Sequence, residues 1–252
     1  MPATVLDIAR AFQRSFYIQA TFTSERMLAL GYAFCLLPFL RKLGASDAEM
    51  HDILRDNLKY FNTNPYVTTW VLGAEMNLHE RRLVGKGPVT EEVERFRKRM
   101  SQALAGPGDN LFWATLRPVS ALLSVLVALA SPAAALATIF ATFSVPSFFV
   151  RLSGAVRGYR RGLGIITEND SRRYNQVAMI LLKVGAFVLG PAALLLGSQM
   201  LGGGRMAPIT VLLAGGLMYF LLRRGWSVTS NLLILLTGVV LVTMVFEIFS
   251  AT

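Results

Sequence analysis

The sequence predicts an all-α, polytopic membrane protein. It should have an N-terminal amphipathic and re-entrant helical half, about three C-terminal transmembrane spans, and a broken hydrophobic hairpin between the two. Three observations carry this expectation. Of 252 residues, 54% are hydrophobic and only 16% charged, too apolar for an ordinary soluble domain of this length. Four long stretches, 118–150, 184–204, 206–222 and 225–246, contain no Asp, Glu, Lys or Arg. The net charge of +10 is also uneven: residues 1–118 hold 15 basic and 12 acidic groups, whereas residues 119–252 hold 10 and 3. The excess positive charge therefore lies among apolar segments, as in basic loops at a membrane surface, and no nucleic-acid partner is expected.

The first region, 1–118, is expected to be mainly cytoplasmic or interfacial. Val5, Ile8, Ala9, Phe12 and Phe16 fall on one helical face with Arg10 and Arg14 roughly opposite, the pattern of a helix lying in a membrane interface. Residues 27–40 are apolar but too short to cross a hydrocarbon core of about 30 Å, and they contain Pro38. A re-entrant or buried element fits them, and it needs protein cover. Ser46 and Glu49 form a capping box ahead of Met50, Ile53, Leu54, Leu58 and Phe61 at helical spacing. Thr90 opens a further helix with Val93, Phe96 and Met100 on one side. Glu91, Glu92, Glu94, Arg95, Arg97, Lys98 and Arg99 surround the rest as a solvated face. Gly106-Pro107-Gly108 is expected to break that helix, and Asp109 to cap a new one.

The second region, 119–252, is expected to span the membrane. The stretch 118–150 is too long for one ordinary span and carries Pro132 after Ser131, so two short legs or a broken re-entrant pair are expected. The other three charge-free stretches are each long enough to cross. Arg151, Arg157, Arg160, Arg161, Arg172, Arg173 and Lys183, opposed only by Glu168 and Asp170, read as one cytoplasmic cluster. Alternation then places Gly202-Gly203-Gly204-Arg205 outside, Arg223 and Arg224 inside, and the C-terminus outside, with the N-terminal half cytoplasmic. The first 25 residues hold no continuous apolar core of a secretory signal, so insertion should rely on the chain itself.

Chemistry-bearing motifs are sparse. One cysteine, Cys35, permits neither an intrachain disulfide nor a multi-cysteine zinc site, and it reads as a packed, inert thiol. With only His51 and His79 and no clustered ligands, neither metal nor cofactor is expected; both histidines read as solvent-facing bystanders. No phosphate loop or nucleophile elbow is present, and the chain is not expected to be an enzyme. The glycosylation sequon Asn169-Asp170-Ser171 falls in a loop expected on the cytoplasmic side.

Two clusters place polar groups where a membrane chain ordinarily avoids them. The first, residues 60–66, reads YFNTNPY: Asn62, Thr63 and Asn64 stand between aromatic rings, and Pro65 blocks helix continuation. Amides and a hydroxyl beside rings suit a neutral sugar, whose hydroxyls need paired donors and acceptors and whose C–H faces prefer apolar contact. The same residues suit helix capping and a turn. The second cluster, residues 105–118, reads AGPGDNLFWATLRP and holds Asp109 and Arg117 eight residues apart, too far along a helix to pair, so each needs another partner. Both a functional site and a cap plus a snorkelling arginine fit that pattern.

Taken together, FTSERMLALGYAFCLLPFLRKL (22–43), LKYFNTNPYVTTWVLGAE (58–75), AGPGDNLFWATLRP (105–118) and VRGYRRG (156–162) resemble, in order and spacing, the enzyme IID component of the mannose/fructose/sorbose family of the bacterial phosphoenolpyruvate-dependent sugar phosphotransferase system. The resemblance implies a multi-pass subunit of the bacterial inner membrane that pairs with an enzyme IIC subunit as a hetero-oligomeric permease for a mannose-type hexose. It further implies that phosphoryl groups reside on separate IIA and IIB proteins and not on IID. Phe61, Asn62, Thr63 and Pro65 match the family's FNT-x-P. Gly108, Asp109, Phe112, Trp113, Arg117 and Pro118 match its GD-x-x-FW-x-x-RP, and Glu25 and Arg26 match ERM. Asn62, Thr63, Asn64, Asp109, Trp113 and Arg117 are therefore substrate-path candidates. Glu25, Arg26, Phe61, Pro65, Gly108, Phe112 and Pro118 are structural ones. The chain departs from the family at Asn57 and at times Asn64, where histidine is common, in LHERR at 78–82, and in a short GGGRMAP segment. Those departures leave open a second possibility, a scaffold or regulatory protein of the same architecture that does not transport.

Overall fold

The computed structural model describes residues 3–167 and 173–185, with Leu217, Phe220 and Arg224 as isolated positions. The chain divides into two compact units, Met1–Gly185 and Ala186–Thr252, and the elements described below belong to the first. The spans expected at 206–222 and 225–246, all but the first two residues of 184–204, the turn at 202–205 and the sequon lie outside the described residues apart from those isolated positions. Among the described residues the fold is helical without strands; only isolated bridges join Met27 to Thr23 and to Phe61.

Helix α1 (Val5–Arg14) starts at a capping box in which the Thr4 amide donates to Asp7 Oδ2 at 2.7 Å. Asp7 is buried and also receives Lys42 from the end of α2 (Ala29–Leu43). Burial alone raises its carboxyl pKa, but the bonds from Lys42 and Thr4 outweigh it and the group sits below its ordinary value. The buried residues of α1 are Asp7 and Ala11; of the apolar stripe, Ile8 packs against the core and Phe12 against Phe148, while Val5 is 85% and Phe16 49% exposed.

The segment expected to be re-entrant or buried is α2, whose Ala29, Tyr32, Cys35, Leu36, Phe39 and Leu40 are buried. Pro38 lies inside this helix. It has no N–H to give the carbonyl four residues back, and that carbonyl, Phe34 O, is taken up by Arg14 Nη1 at 2.9 Å while the guanidinium stacks on the Phe34 ring. Burial pushes the Cys35 thiol up to about 12, so it stays protonated and unreactive, in keeping with its expected role.

Helix α3 (Asp47–Asn57) begins at the Ser46 and Glu49 capping box read from the sequence. It joins α2, α4 (Thr68–Leu83) and α5 (Thr90–Leu111) through one buried polar network centred on Glu75. Tyr32 Oη donates to Glu75 Oε2 at 2.7 Å; Asn57 Nδ2, His79 Nε2 and Arg97 Nη1 reach Oε1 at 3.1, 3.2 and 3.3 Å. Arg97 also donates to Asn57 Oδ1 and to the Asp56 carbonyl, both at 2.6 Å. Two expectations are corrected here. His79 is not a surface bystander but 2% exposed, and Arg97 does not belong to the solvated face of α5 but is 6% exposed beneath it. His51 does remain exposed.

Helix α4 packs most extensively on α8 (Val145–Arg161). Small residues make the close crossing possible. Gly154 and Gly158, four apart on one face of α8, abut Trp70 and the Trp70 carbonyl, and Gly73 abuts the Ala155 carbonyl. A Cβ at Gly73 or Gly158 would strike backbone that cannot move aside. Thr69 Oγ1 donates to the Arg151 carbonyl at 2.8 Å and ties the same crossing. Arg151, grouped by sequence with loop cations, is instead a buried helical residue that donates to the Ser15 carbonyl at 2.7 Å.

The expected break at Gly106-Pro107-Gly108 does not occur. Helix α5 runs through it and continues by a π-helical turn, Phe112–Leu116, into α6 (Arg117–Ala128). Proline disfavours a helical predecessor by clashing with its Cβ, and Gly106 has none. The chain reverses at residues 129–131, where Ser131 caps α7 (Pro132–Ile139), and Ser124 Oγ donates back to the Ala135 carbonyl. A second π turn, Phe140–Ser144, leads into α8. Each π turn opens with Phe and is followed, six residues after that Phe, by a proline, Pro118 or Pro146. A wider turn at these points accommodates the missing N–H and ring bulk of the proline.

Thr90–Ala128 and Pro132–Ile165 are each long and apolar enough to cross a bilayer, and only 33% and 11% of their most apolar windows are buried. Their outer surfaces present Val125, Leu129, Leu136, Phe140 and Phe149. A Gly162–Thr167 3₁₀ segment follows α8, and a last described helix, α9 (173–185), lies against the long helix through Asn175 to Asn110 and Gly185 to Val119.

Glu75→Gln should lower thermal stability by about 3–5 kcal/mol, because it strands the Arg97 charge in a buried site. Glu75→Gln combined with Arg97→Met should recover part of that loss. Burial of Glu75 raises its pKa, but Arg97 and the bonds from His79 and Tyr32 win and hold it at about 2. With the folded pKa depressed, its stabilisation is complete above the unfolded value of about 4.3 and disappears as pH falls toward 2. Tryptophan-fluorescence melts across that window should show the wild-type midpoint falling more steeply than that of the double variant.

Candidate substrate site

The two polar clusters of the sequence meet in space. The loop between α3 and α4 is held at its base by the Met27 region, where Leu28 N donates to the Phe61 carbonyl at 3.0 Å. Met27 adopts a positive φ of 55° to make this turn. Phe61 is buried and its ring packs on Tyr32, 4.3 Å between centroids.

Asn64, 1% exposed, organises the rest of the loop. Its Oδ1 accepts from Tyr66 N at 3.0 Å, its carbonyl accepts from Val67 N, Thr68 N and Thr68 Oγ1, and its Nδ2 donates to Asp109 Oδ1 at 2.9 Å. The first two sets of bonds start α4; the third fastens the loop to α5. Asp109 therefore does not cap a helix. Asn64, rather than Asn62 or Thr63, makes the turn that leads into α4, whose N-cap is Val67. Gly108 makes the seating possible, because a Cβ there would come within 2.5 Å of Asn64 Cβ and 3.1 Å of Val67 Cγ2.

Asn62, Thr63 and Pro65 line one wall of a cleft of about 210 Å³ whose remaining lining is Gln19, Phe22, Leu28, Asp109 and Trp113. Asn62 is exposed, whereas Thr63 is 4% exposed and its Oγ1 has no hydrogen-bond partner. A second cleft of about 490 Å³ is lined by Tyr66, Trp113, Arg117, Ala121, Ile139 and Phe143. Trp113 lines both. Arg117 does not pair with Asp109; its guanidinium lies 5.3 Å from the Trp113 ring centre. Tyr66 stacks on Phe112 at 4.6 Å and meets Trp113 and Phe143 edge-on, so one ring touches both π turns. Buried Arg151 lies 4.8 Å from the Tyr66 ring on α8's side.

Five of the six substrate-path candidates thus line these two clefts. Asn64 stands behind the first as its anchor. Of the structural candidates, Phe61, Pro65, Gly108 and Phe112 are buried around the loop, and Pro118 starts α6. Glu25 and Arg26 are exposed; Arg26 lines a separate cleft of about 490 Å³ with His51, Leu54, Arg55, Leu58, Lys59 and Tyr60. Sequence reasoning missed Gln19, for which no motif gave a signal. Among the described residues no cluster of His, Cys, Asp and Glu could hold a metal ion.

The described residues thus combine two helices long and apolar enough to cross a membrane, their nonpolar faces exposed, with a helical domain that carries a polar, ring-lined cleft. The chain belongs to the mannose/fructose/sorbose family IID components of the phosphotransferase system, whose family model matches residues 3–195. It is 30% identical over 188 residues to the mannose-specific EIID component of Escherichia coli K12, an alignment covering 74% of this chain and 66% of that protein. It is 28% identical over 187 residues to the fructose permease IID component of Bacillus subtilis, covering 74% and 68%. The chain therefore spans just under two thirds of the length of the E. coli relative. A cryo-EM structure of the mannose transporter ManYZ in complex with microcin E492 superposes with TM-score 0.62 at 25% identity, covering 98% of this chain and 97% of that one. Another membrane-protein structure superposes with TM-score 0.78 at 24% identity, covering 97% of each, and supports the fold alone. IID is a membrane permease component in these relatives, and a membrane location follows from the family.

Asn64→Ala should destabilise the loop by roughly 1–3 kcal/mol, since it leaves Asp109 without its partner and removes the Tyr66 bond. Asn62→Ala should change the melting temperature little, because its side chain is exposed. Thermal melts of the two purified variants check the contrast, and equal losses would contradict the assignment of the anchor to Asn64.

Proposed function

We propose that this chain is the IID subunit of a sugar permease that, with an enzyme IIC partner, translocates a mannose-type hexose whose phosphorylation is carried out by IIA and IIB. The observation that carries this reading is the convergence of Asn62, Thr63, Asp109 and Trp113 in one cleft of a chain belonging to the IID family. Amide, hydroxyl and carboxylate groups there complement sugar hydroxyls, and the indole offers an apolar face for the C–H side of the ring. Arg117 on Trp113 marks the neighbouring cleft as a continuation of the same path.

In this reading the subunit performs no phosphoryl transfer itself. Sugar passes through the path and is phosphorylated at the cytoplasmic mouth by IIB. Product is retained because a phosphate dianion is costly to move through an apolar passage. The chain is multi-pass, with its N-terminus cytoplasmic and its C-terminus on the outer side. The apolar surfaces of the two long helices face lipid or the IIC subunit, forming a hetero-oligomer.

Cells expressing the complete IIA, IIB, IIC and IID set test this reading. Asn62→Ala and Asp109→Asn should each reduce hexose uptake about three- to tenfold, the effect of one lost hydrogen bond, while IIC still co-purifies with the variant. Uptake unchanged by deletion of the whole chain, with altered regulatory output instead, would replace this reading with that of a non-transporting scaffold.

A further inference from the structure

We infer that Asp109 makes the cleft selective for an uncharged sugar and against the phosphate ester of that sugar. The inference rests on the reading of this cleft as part of the substrate path and adds to it the charge state that the cleft accepts. Asp109 is the only ionisable side chain among the eight described residues lining it. Of the motif cations, Arg117 lines the neighbouring cleft and is stacked on Trp113, and Arg26 lines a separate one. A phosphate ester of charge about −1.5 to −2 entering here meets a carboxylate and no lining cation.

The hydrogen-bonding inventory points the same way. Asp109 Oδ1 is occupied by Asn64 Nδ2, which leaves Oδ2 able to accept but never to donate. Thr63 Oγ1 is buried without a hydrogen-bond partner among the described residues, and in a native site such a group calls for an explanation. A sugar hydroxyl satisfies both, donating to Asp109 and exchanging a bond with Thr63. The ionised phosphoryl oxygens of an ester only accept and so offer the carboxylate nothing; the ester's remaining hydroxyls still can, so its charge is what sets it apart from the free sugar. Gln19 and Asn62, both exposed amides, complete the set with donors and acceptors of no net charge. The cleft thus discriminates by an unfavourable contact with the wrong ligand as well as by favourable ones with the right ligand.

Local thiol protection in membranes carrying the full complex tests this. Phe22→Cys places an accessible thiol on the cleft wall, and buried Cys35 is an internal control that does not react. Alkylation of this chain by N-ethylmaleimide is followed by mass spectrometry with mannose, fructose or mannose 6-phosphate present, and Gln19→Cys serves as a second reporter. At least one of the two neutral hexoses should slow alkylation, and the ester should do so only at concentrations at least about tenfold higher, a gap that Asp109→Asn should close. Equal protection by hexose and ester in the chain with native Asp109 would overturn the inference while leaving the substrate-path reading intact. A gap that survives Asp109→Asn would overturn it as well. Absence of protection by any of the three at both reporters would overturn the inference and the substrate-path reading together.

Discussion

The seating of Asn64 on Gly108 is the constraint on which the cleft depends. Pro65 supplies no N–H, and Asn64 organises the turn around it, accepting from Tyr66 N with its side-chain oxygen and from Val67 N, Thr68 N and Thr68 Oγ1 with its carbonyl as the chain enters α4. Its remaining amide hydrogens are directed at Asp109. Because Gly108 adds no Cβ, the two backbones come close enough for that bond, and Asn62, Thr63, Asp109 and Trp113 then surround one space. The two roles that compete for these residues in the sequence fall to different neighbours: Asn64 makes the turn into α4 and the bond to Asp109, and Asn62 and Thr63 line the cleft.

Rigidity behind the loop comes from two further devices. Glu75, Arg97, Tyr32, Asn57 and His79 pin α2, α3, α4 and α5 to one another through a buried carboxylate that is fully engaged. Glycines 73, 154 and 158 let α4 and α8 cross at close range, which fixes the start of α4 relative to the second long helix. Tyr66 then bridges the two π turns from one side, so the aromatic lining of the larger cleft is set by both long helices at once.

Much of this was legible in the sequence because it depends on local chemistry. The capping box at Ser46, the burial of Cys35 in an apolar run, and the reversal next to Ser131 and Pro132 each follow from a few adjacent residues. The meeting of the 60–66 and 105–118 clusters was not legible from spacing, since it is a contact across 45 positions; the family resemblance singled out both clusters without placing them together. The burial of Arg97 did leave a signal: Val93, Phe96, Arg97, Met100 and Leu104 fall on one face, so Arg97 lies within the apolar stripe and not opposite it. His79 likewise follows Glu75 by four residues on the buried face of α4, a pair whose meaning emerges only when Tyr32 and Arg97 arrive from other helices. The unbroken helix at Pro107 was misread because a Gly-Pro-Gly triplet signals a turn in isolation, whereas packing against Asn64 and Val67 rewards the helical conformation here.

Hydrogen–deuterium exchange of this chain with its proposed IIC partner in lipid nanodiscs, with and without saturating mannose or fructose, tests the central claim most directly. Sugar should slow exchange in peptides covering residues 60–66 and 108–117 and leave the Ser46-capped helix at 47–57 unchanged. Slowing confined to IIC, with no difference at 60–66 or 108–117, would contradict the account.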